Sequence, residues 1–187
     1  MNSFEKAENA ILRNAARLDV VSRLSNDQAR LKFEEEALGK GNPEIAETCY
    51  LIACDYLDLG NCEEAMKYFR KIFSIYKKFP ELEKPKQYLV YEDAGYTCEC
   101  LEKYKQALKY YLEAVPGYEE NCGTDDDRTG HLYYRIAAAY AALNQEEDTR
   151  HWLERTMNTP YEPEDKESRK YFRGIKVLRN RASERKQ

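Results

Sequence analysis

Residues 49–72 read CYLIACDYLDLGNCEEAMKYFRKI. Cys49, Ile52, Ala53 and Tyr56 stand at i, i+3, i+4 and i+7, which places them on one face of an amphipathic helix. Ala65, Phe69 and Ile72 mark the inward face of a second helix. The intervening Leu59-Gly60-Asn61 is a short polar turn that leaves room only for an antiparallel pair. The stretch is a helical hairpin.

A step of 42 residues finds it again, twice. It links Cys49, Tyr91 and Tyr133; Ile52, Ala94 and Ile136; Ala53, Gly95 and Ala137; and Tyr56, Cys98 and Tyr140. In the second helix it links Ala65, Ala107 and Thr149; Phe69, Tyr111 and Leu153; and Ile72, Ala114 and Thr156. Agreement in size and polarity over seven registers identifies a repeat protein. The small residues at 53, 95 and 137 and at 65, 107 and 149 let helix backbones approach closely, as ridge-and-groove packing requires. The pattern predicts helices over about 43–58, 61–78, 86–101, 103–118, 128–142 and 145–158. Pro43 suits a first turn after Asn42, Pro80 and Pro85 bracket a break, and Pro116, with Gly117 beside it, is expected to end or kink its helix. Residues 121–127 read as a loop.

These residues resemble the tetratricopeptide repeat, in which a large residue, Leu-Gly or Leu-Ala, a Tyr, Gly-x-Tyr-x-x-Ala, an aromatic and a small residue recur. Here the series is Cys49, Ile52-Ala53, Tyr56, Gly60-x-Cys62-x-x-Ala65, Phe69, Ile72. The 42-residue step looks like the longer variant of kinesin light chains and bacterial relatives, and the resemblance spans about residues 39–158. It implies an all-α fold, a right-handed α-solenoid of helical hairpins with a C-terminal capping helix. The whole chain then reads as one helical-repeat domain: degenerate N-terminal helices over 1–38, repeats over 39–80, 81–122 and 123–162, and a capping helix with a basic tail over 163–187. Thr149 and Thr156 stand where the family has Ala, so the third pair should pack less tightly.

Residues 1–38 fit the register poorly, because stepping back 42 from Ala65 lands on Arg23. Ala7, Ala10 and Ile11 still share a helical face, and Leu24, Leu31 and Leu38 recur at heptad spacing, with Asn26 a candidate cap and Gly39 a terminator. We read this segment as a degenerate fourth unit. At the other end, Tyr171, Ile175 and Leu178 mark the last amphipathic helix, which a solenoid needs to cover its final apolar face.

Of the 187 residues, 42 % are hydrophobic and 34 % charged, and the net charge is -4. No run approaches the ~20 apolar residues of a membrane span, and the amino end lacks the order of a secretory signal, so the chain is expected in the cytoplasm with no membrane partner. Eight Gly and six Pro, with no Gly-rich segment, disfavour a phosphate-cradling loop. Residues 164–187 carry nine Lys or Arg against four Asp or Glu, leaving 21 against 30 in residues 1–163. An acidic body disfavours nucleic acid as a partner.

Catalytic signals are absent from the spacing. His131 and His151 form no His-x-x-x-His pair, and no Gly-x-Ser-x-Gly turn occurs. The six Cys include no Cys-x-x-Cys pair, and Cys49, Cys62 and Cys98 fall on core positions, so reduced, packed thiols are expected, with neither metal nor cofactor. Tyr56, Tyr91, Tyr104, Tyr111, Tyr133 and Tyr140 likewise fall on repeat-core positions among the 16 Tyr.

In the family the first helix of each hairpin lines a concave groove. The resemblance implies that Glu47, Tyr50, Asp58, Leu89, Glu92, Tyr96, Glu99, His131 and Tyr134 face it. Domains of the family that clamp an acidic chaperone tail use Lys, Asn and Arg at the positions held here by Tyr50, Cys54, Asp93, His131 and Arg135, so Arg135 alone matches and no such tail should bind. With Asp93 and Arg135 added, the candidate groove is acidic and Tyr-lined. It implies a protein-interaction module taking a peptide or helix with basic or apolar side chains, the chain's own basic tail among the candidates. The alternative is a structural or self-assembly protein that forms homo-oligomers through solenoid ends or the C-terminal helix.

Overall fold

The computed structural model describes residues 3–80 and 86–163, together with Arg169 and Phe172; for residues 3–11 it describes the backbone alone. Among the described residues there are seven helices and no strand: α1 (Ser3–Leu38), α2 (Ile45–Asp58), α3 (Cys62–Lys78), α4 (Gln87–Cys100), α5 (Tyr104–Asn121), α6 (Asp127–Ala142) and α7 (Glu146–Met157). Arg169 and Phe172 are helical; the rest of the expected capping helix and the basic tail lie outside the described residues. The chain divides into two compact units, one of residues 1–85 and 96–103, the other of residues 86–95 and 104–187.

In the first unit α2 and α3 pack through Ile45, Cys49, Ile52, Ala53, Ala65, Phe69 and Ile72, all without solvent exposure. In the second, Ala94, Ala107, Tyr111, Ala114, Leu132 and Ile136 are equally closed. Positions 52, 94 and 136 are thus buried at every copy, as are 72, 114 and 156. Thr156 keeps its place in that series because its hydroxyl donates to the Trp152 carbonyl at 2.9 Å, so a polar atom enters the core already satisfied. Thr149 is half-buried, and its hydroxyl likewise turns back to the Gln145 carbonyl.

The turn between paired helices repeats as well. Gly60, Glu102 and Asn144, 42 residues apart, have φ of 73°, 56° and 57°. In each case the following amide donates to a carbonyl five residues back: Asn61 to Tyr56, Lys103 to Cys98 and Gln145 to Tyr140, the bond that closes a left-handed helix end. Glycine adopts this conformation freely, whereas a side chain there is disfavoured by about 1–2 kcal/mol. Glu102→Gly should therefore raise stability by about 1 kcal/mol and Gly60→Ala lower it similarly, both read from urea midpoints. Equal midpoints for the two variants would contradict this account.

Two expectations are corrected. Residues 3–38 form one helix, not a hairpin: the segment contains neither Gly nor Pro, and Asn26 is an exposed mid-helix residue with no cap to make. Gly39, at φ 89°, does end it. This helix docks by few apolar groups, Leu24 and Leu31, and by polar ones. The Arg23 Nη2 donates to the buried Asp55 carboxylate at 2.9 Å, Thr48 donates to Glu34 at 2.7 Å, and Lys71 pairs with Glu35. Secondly, α5 neither ends nor breaks at Pro116 but continues to Asn121, because Tyr118 beyond the proline is buried and held by a hydrogen bond to Glu92.

Candidate binding site

In the second unit, the start of α4, the end of α5 and the first turns of α6 enclose a cavity of about 490 Å³ lined by Glu92, Tyr118, Asp127, Arg128, His131, Arg135 and Tyr161. Helix periodicity delivers His131 and Arg135, one turn apart, to the same side of α6. The Arg135 Nε donates to His131 Nε2 at 3.2 Å, and its Nη1 donates to the Tyr111 hydroxyl at 3.3 Å. The other ring nitrogen, Nδ1, lies 3.7 Å from Glu92 Oε1.

Glu92 also accepts the Tyr118 hydroxyl. Burial pushes its carboxyl above the ordinary range; the Tyr118 hydrogen bond opposes this, neighbouring Asp93 adds to it, and Arg135 opposes it. Burial, followed by the hydrogen bond to Glu92, pushes the Tyr118 phenol up in turn. The rim of the cavity is set by Asp126, which caps α6 by accepting the Arg128 amide at 2.9 Å and holds the Arg128 guanidinium through Nε at 2.9 Å. That pairing keeps the Asp126 carboxyl low.

Gly130 lets the chain close over this region. A Cβ there would lie 2.0 Å from Thr159 Oγ1 and 2.7 Å from Tyr161 Cβ, so only glycine admits the segment that follows α7. Tyr161 consequently sits with its ring centroid 5.2 Å from His131 and 5.6 Å from Tyr134. Tyr134 meets Phe172 edge-on at 6.3 Å, and Phe172 is itself buried.

The eleven residues singled out from sequence divide between the units. Glu92, His131 and Arg135 converge on the cavity. Leu89 and Asp93 are half-buried in the same unit outside its lining, and Tyr134 belongs to the aromatic contact with Tyr161 and Phe172. In the first unit, Glu47 and Asp58 are exposed, Asp58 accepting Arg23 at 3.3 Å. Tyr50 lies half-buried against Phe69, Tyr96 is exposed and Glu99 is half-buried. Sequence reasoning missed Tyr118, Asp127, Arg128 and Tyr161. Tyr118 had a signal, the 42-residue step from Tyr76; Tyr161 follows the last paired helix, α7, and had none. No group of three or more His, Cys, Asp or Glu among the described residues could hold a metal ion.

Residues 45–78, the α2–α3 pair, match the family model described as a tetratricopeptide repeat. The α2–α3 pair thus resembles a tetratricopeptide repeat. Its fold, an all-α helical-repeat solenoid, is shared with solved structures of low identity. BtubC (BKLC) from P. vanneervenii is 20 % identical over 74 % of this chain and 54 % of that one, with a TM-score of 0.62. A Podosopora anserina putative kinesin light chain with nearly identical TPR-like repeats is 15 % identical over 78 % of this chain and 70 % of that one, with a TM-score of 0.65. A point-substituted form of the latter gives the same TM-score over 69 % of its length. The chain thus spans about half the length of the first and about two thirds of the second. No curated protein sequence matches it. No helix among the described residues is long and apolar enough to cross a membrane.

Proposed function

We propose that the chain is a cytoplasmic adaptor or scaffold whose repeats bind a peptide or helix of a partner protein, taking up a Lys or Arg side chain beside Glu92; no catalytic role is assigned to it. Tetratricopeptide repeats generally mediate protein–protein interaction, and the observation that carries the finer reading is the state of Glu92. Its carboxylate opens on a cavity yet is disfavoured as an anion by burial, with the Tyr161 and His131 rings nearby. A ligand cation placed there would favour the ionised form and gain from the aromatic wall. Within the same unit Asp93 biases the surface toward basic partners, while Leu89 and Tyr134 offer apolar contact.

The sign of the pH dependence follows from the raised carboxyl. The part of folding stability due to Glu92 is fully present below the ordinary carboxylate range and is lost as pH rises through its raised folded value. A bound cation reverses that preference, so affinity for a basic peptide should increase with pH over the same window. Calorimetric titration with basic and acidic peptide pools at two salt concentrations tests the reading. Basic peptides should bind better, less tightly at high salt, and Glu92→Gln should weaken them by about tenfold, as expected for losing one charge-assisted hydrogen bond. Tighter binding of acidic peptides, or affinity untouched by Glu92→Gln and by Glu92→Lys with Glu99→Lys, would sink the proposal.

A second reading, self-assembly, is favoured by the apolar residues that α1 leaves in water: Leu12, Leu18 and Phe33 are 61 %, 70 % and 72 % exposed. Light scattering distinguishes the two, since self-assembly requires a mass that grows with concentration without added peptide.

A further inference from the structure

Arg128, His131 and Arg135 stand at i, i+3 and i+7 of α6, which sets them about one turn apart along one face of the helix, and all three line the cavity. Glu92 meets the middle of this row, its Oε1 3.7 Å from His131 Nδ1. Toward the end of α6, Arg135 is engaged through Nε with His131 and through Nη1 with the Tyr111 hydroxyl. Toward its start, Arg128 is exposed and held in place, Nε and Nη2 donating to the two Asp126 oxygens at 2.9 and 3.3 Å, while Nη1 makes no hydrogen bond among the described residues. Asp126 thus orients the guanidinium and leaves the N–H groups of Nη1 to give. With Asp127 included, the lining carries two carboxylates and two guanidiniums.

That balance of charge selects among ligands. A lone cation drawn to Glu92 would stand between Arg128 and Arg135, whose like charge opposes its entry. A lone anion drawn to Arg128 would meet Glu92 and Asp127. We propose that the cavity recognises a dipolar ligand, a Lys or Arg side chain accompanied by a carboxylate, with the cation beside Glu92 and the carboxylate on Nη1 of Arg128. This rests on the reading of Glu92 given above and adds the second charge. The carboxylate shields the cation from the guanidiniums, and its bond to a guanidinium already fixed by Asp126 is charge-assisted and needs little further ordering. The spacing follows from α6. Glu92 meets His131 and Arg128 is one turn away, so the two charges of the ligand must stand about 5 Å apart. Basic and acidic side chains two residues apart lie on one face of an extended peptide and meet that need, as does a terminal basic residue with its own carboxylate.

The test is calorimetric titration of the full chain with end-blocked peptides of equal length containing Lys-Ala-Glu or Lys-Ala-Gln, and with a peptide ending in Lys as its free acid or its amide. Adding the carboxylate should tighten binding by about tenfold in at least one of the two pairs. A gain in the first pair assigns the carboxylate to a side chain of the partner, and a gain in the second alone assigns it to a chain end. Arg128→Gln should abolish the gain while leaving the Lys-Ala-Gln peptide bound as before, and Glu92→Gln should weaken both members of each pair. The double-mutant cycle isolates the Arg128 contact, because a general disturbance by the substitution would weaken both peptides alike and give no coupling. Equal affinities within both pairs, or a gain that survives Arg128→Gln, would overturn the dipolar ligand alone, with the cation beside Glu92 retained. Failure of every peptide to bind, or binding indifferent to Glu92→Gln, would remove the reading of Glu92 and this inference with it.

Discussion

Phe69→Ala should lower the unfolding free energy by about 3–5 kcal/mol, the range for emptying a large aromatic site in a core that cannot collapse. Phe69 has no exposed surface and meets Tyr50 edge-on, with ring centroids 6.5 Å apart and planes at 60°. Its neighbours on α3, Ala65 and Ile72, are equally closed, as are Cys49, Ile52 and Ala53 on α2. Both helix backbones would have to shift to fill the void. Urea unfolding is the measurement: the midpoint should fall with the slope unchanged, and Phe69→Leu, which retains most of the volume, should lose far less. A shift under about 1 kcal/mol for the alanine variant would place Phe69 outside the core, contrary to the packing described.

The second large effect comes from adding a single carbon. In Gly95→Ala the new Cβ would stand 2.4 and 2.5 Å from Cδ1 and Cε1 of Tyr111, far inside van der Waals contact. Tyr111 has no room to retreat: it is fully buried, and its hydroxyl accepts a hydrogen bond from Arg135 at 3.3 Å. Alanine gains up to about 1 kcal/mol of helix propensity over glycine, but overpacking costs about 1–3 kcal/mol and wins where the obstructing atoms are a locked ring. We expect a net loss of about 2 kcal/mol. Coupling identifies the cause. If Tyr111 is the obstacle, Gly95→Ala combined with Tyr111→Leu should lose measurably less than the sum of the single variants, and strict additivity would mean the strain lies elsewhere.

Gly95 also shows where a sequence reading stops. Its membership of the 53, 95, 137 series says that a small residue belongs there, and ridge-and-groove packing says why. That the ring pressed against it is Tyr111 becomes visible only when the two residues meet in space. Pro116 is the reverse case. A local rule ends the helix there, and the local rule yields because Tyr118, just beyond it, gains burial and the Glu92 carboxylate as a partner. Likewise Asn26 looks like a cap in isolation, yet a segment free of Gly and Pro has nothing to interrupt it, and one continuous helix satisfies its backbone without capping.

The candidate site was legible only where it shares the repeat's own geometry. Glu92, His131 and Arg135 lie on first helices, whose facing positions recur with the period, so the family resemblance pointed to them. Tyr161 lies beyond α7, the last paired helix, and its seat depends on Gly130 having no side chain.

The sequence by itself determined the period, the helix pairs, the short turns that recur at 60, 102 and 144, and which faces are apolar. All of these are set by interactions within about one turn of helix or by side-chain size. Tertiary structure alone decided which carboxylate is buried, which hydroxyl and imidazole meet it, and which glycine yields space to which side chain. Those properties depend on groups brought together from distant parts of the chain, and desolvation and contact have no counterpart in the spacing of residues along it.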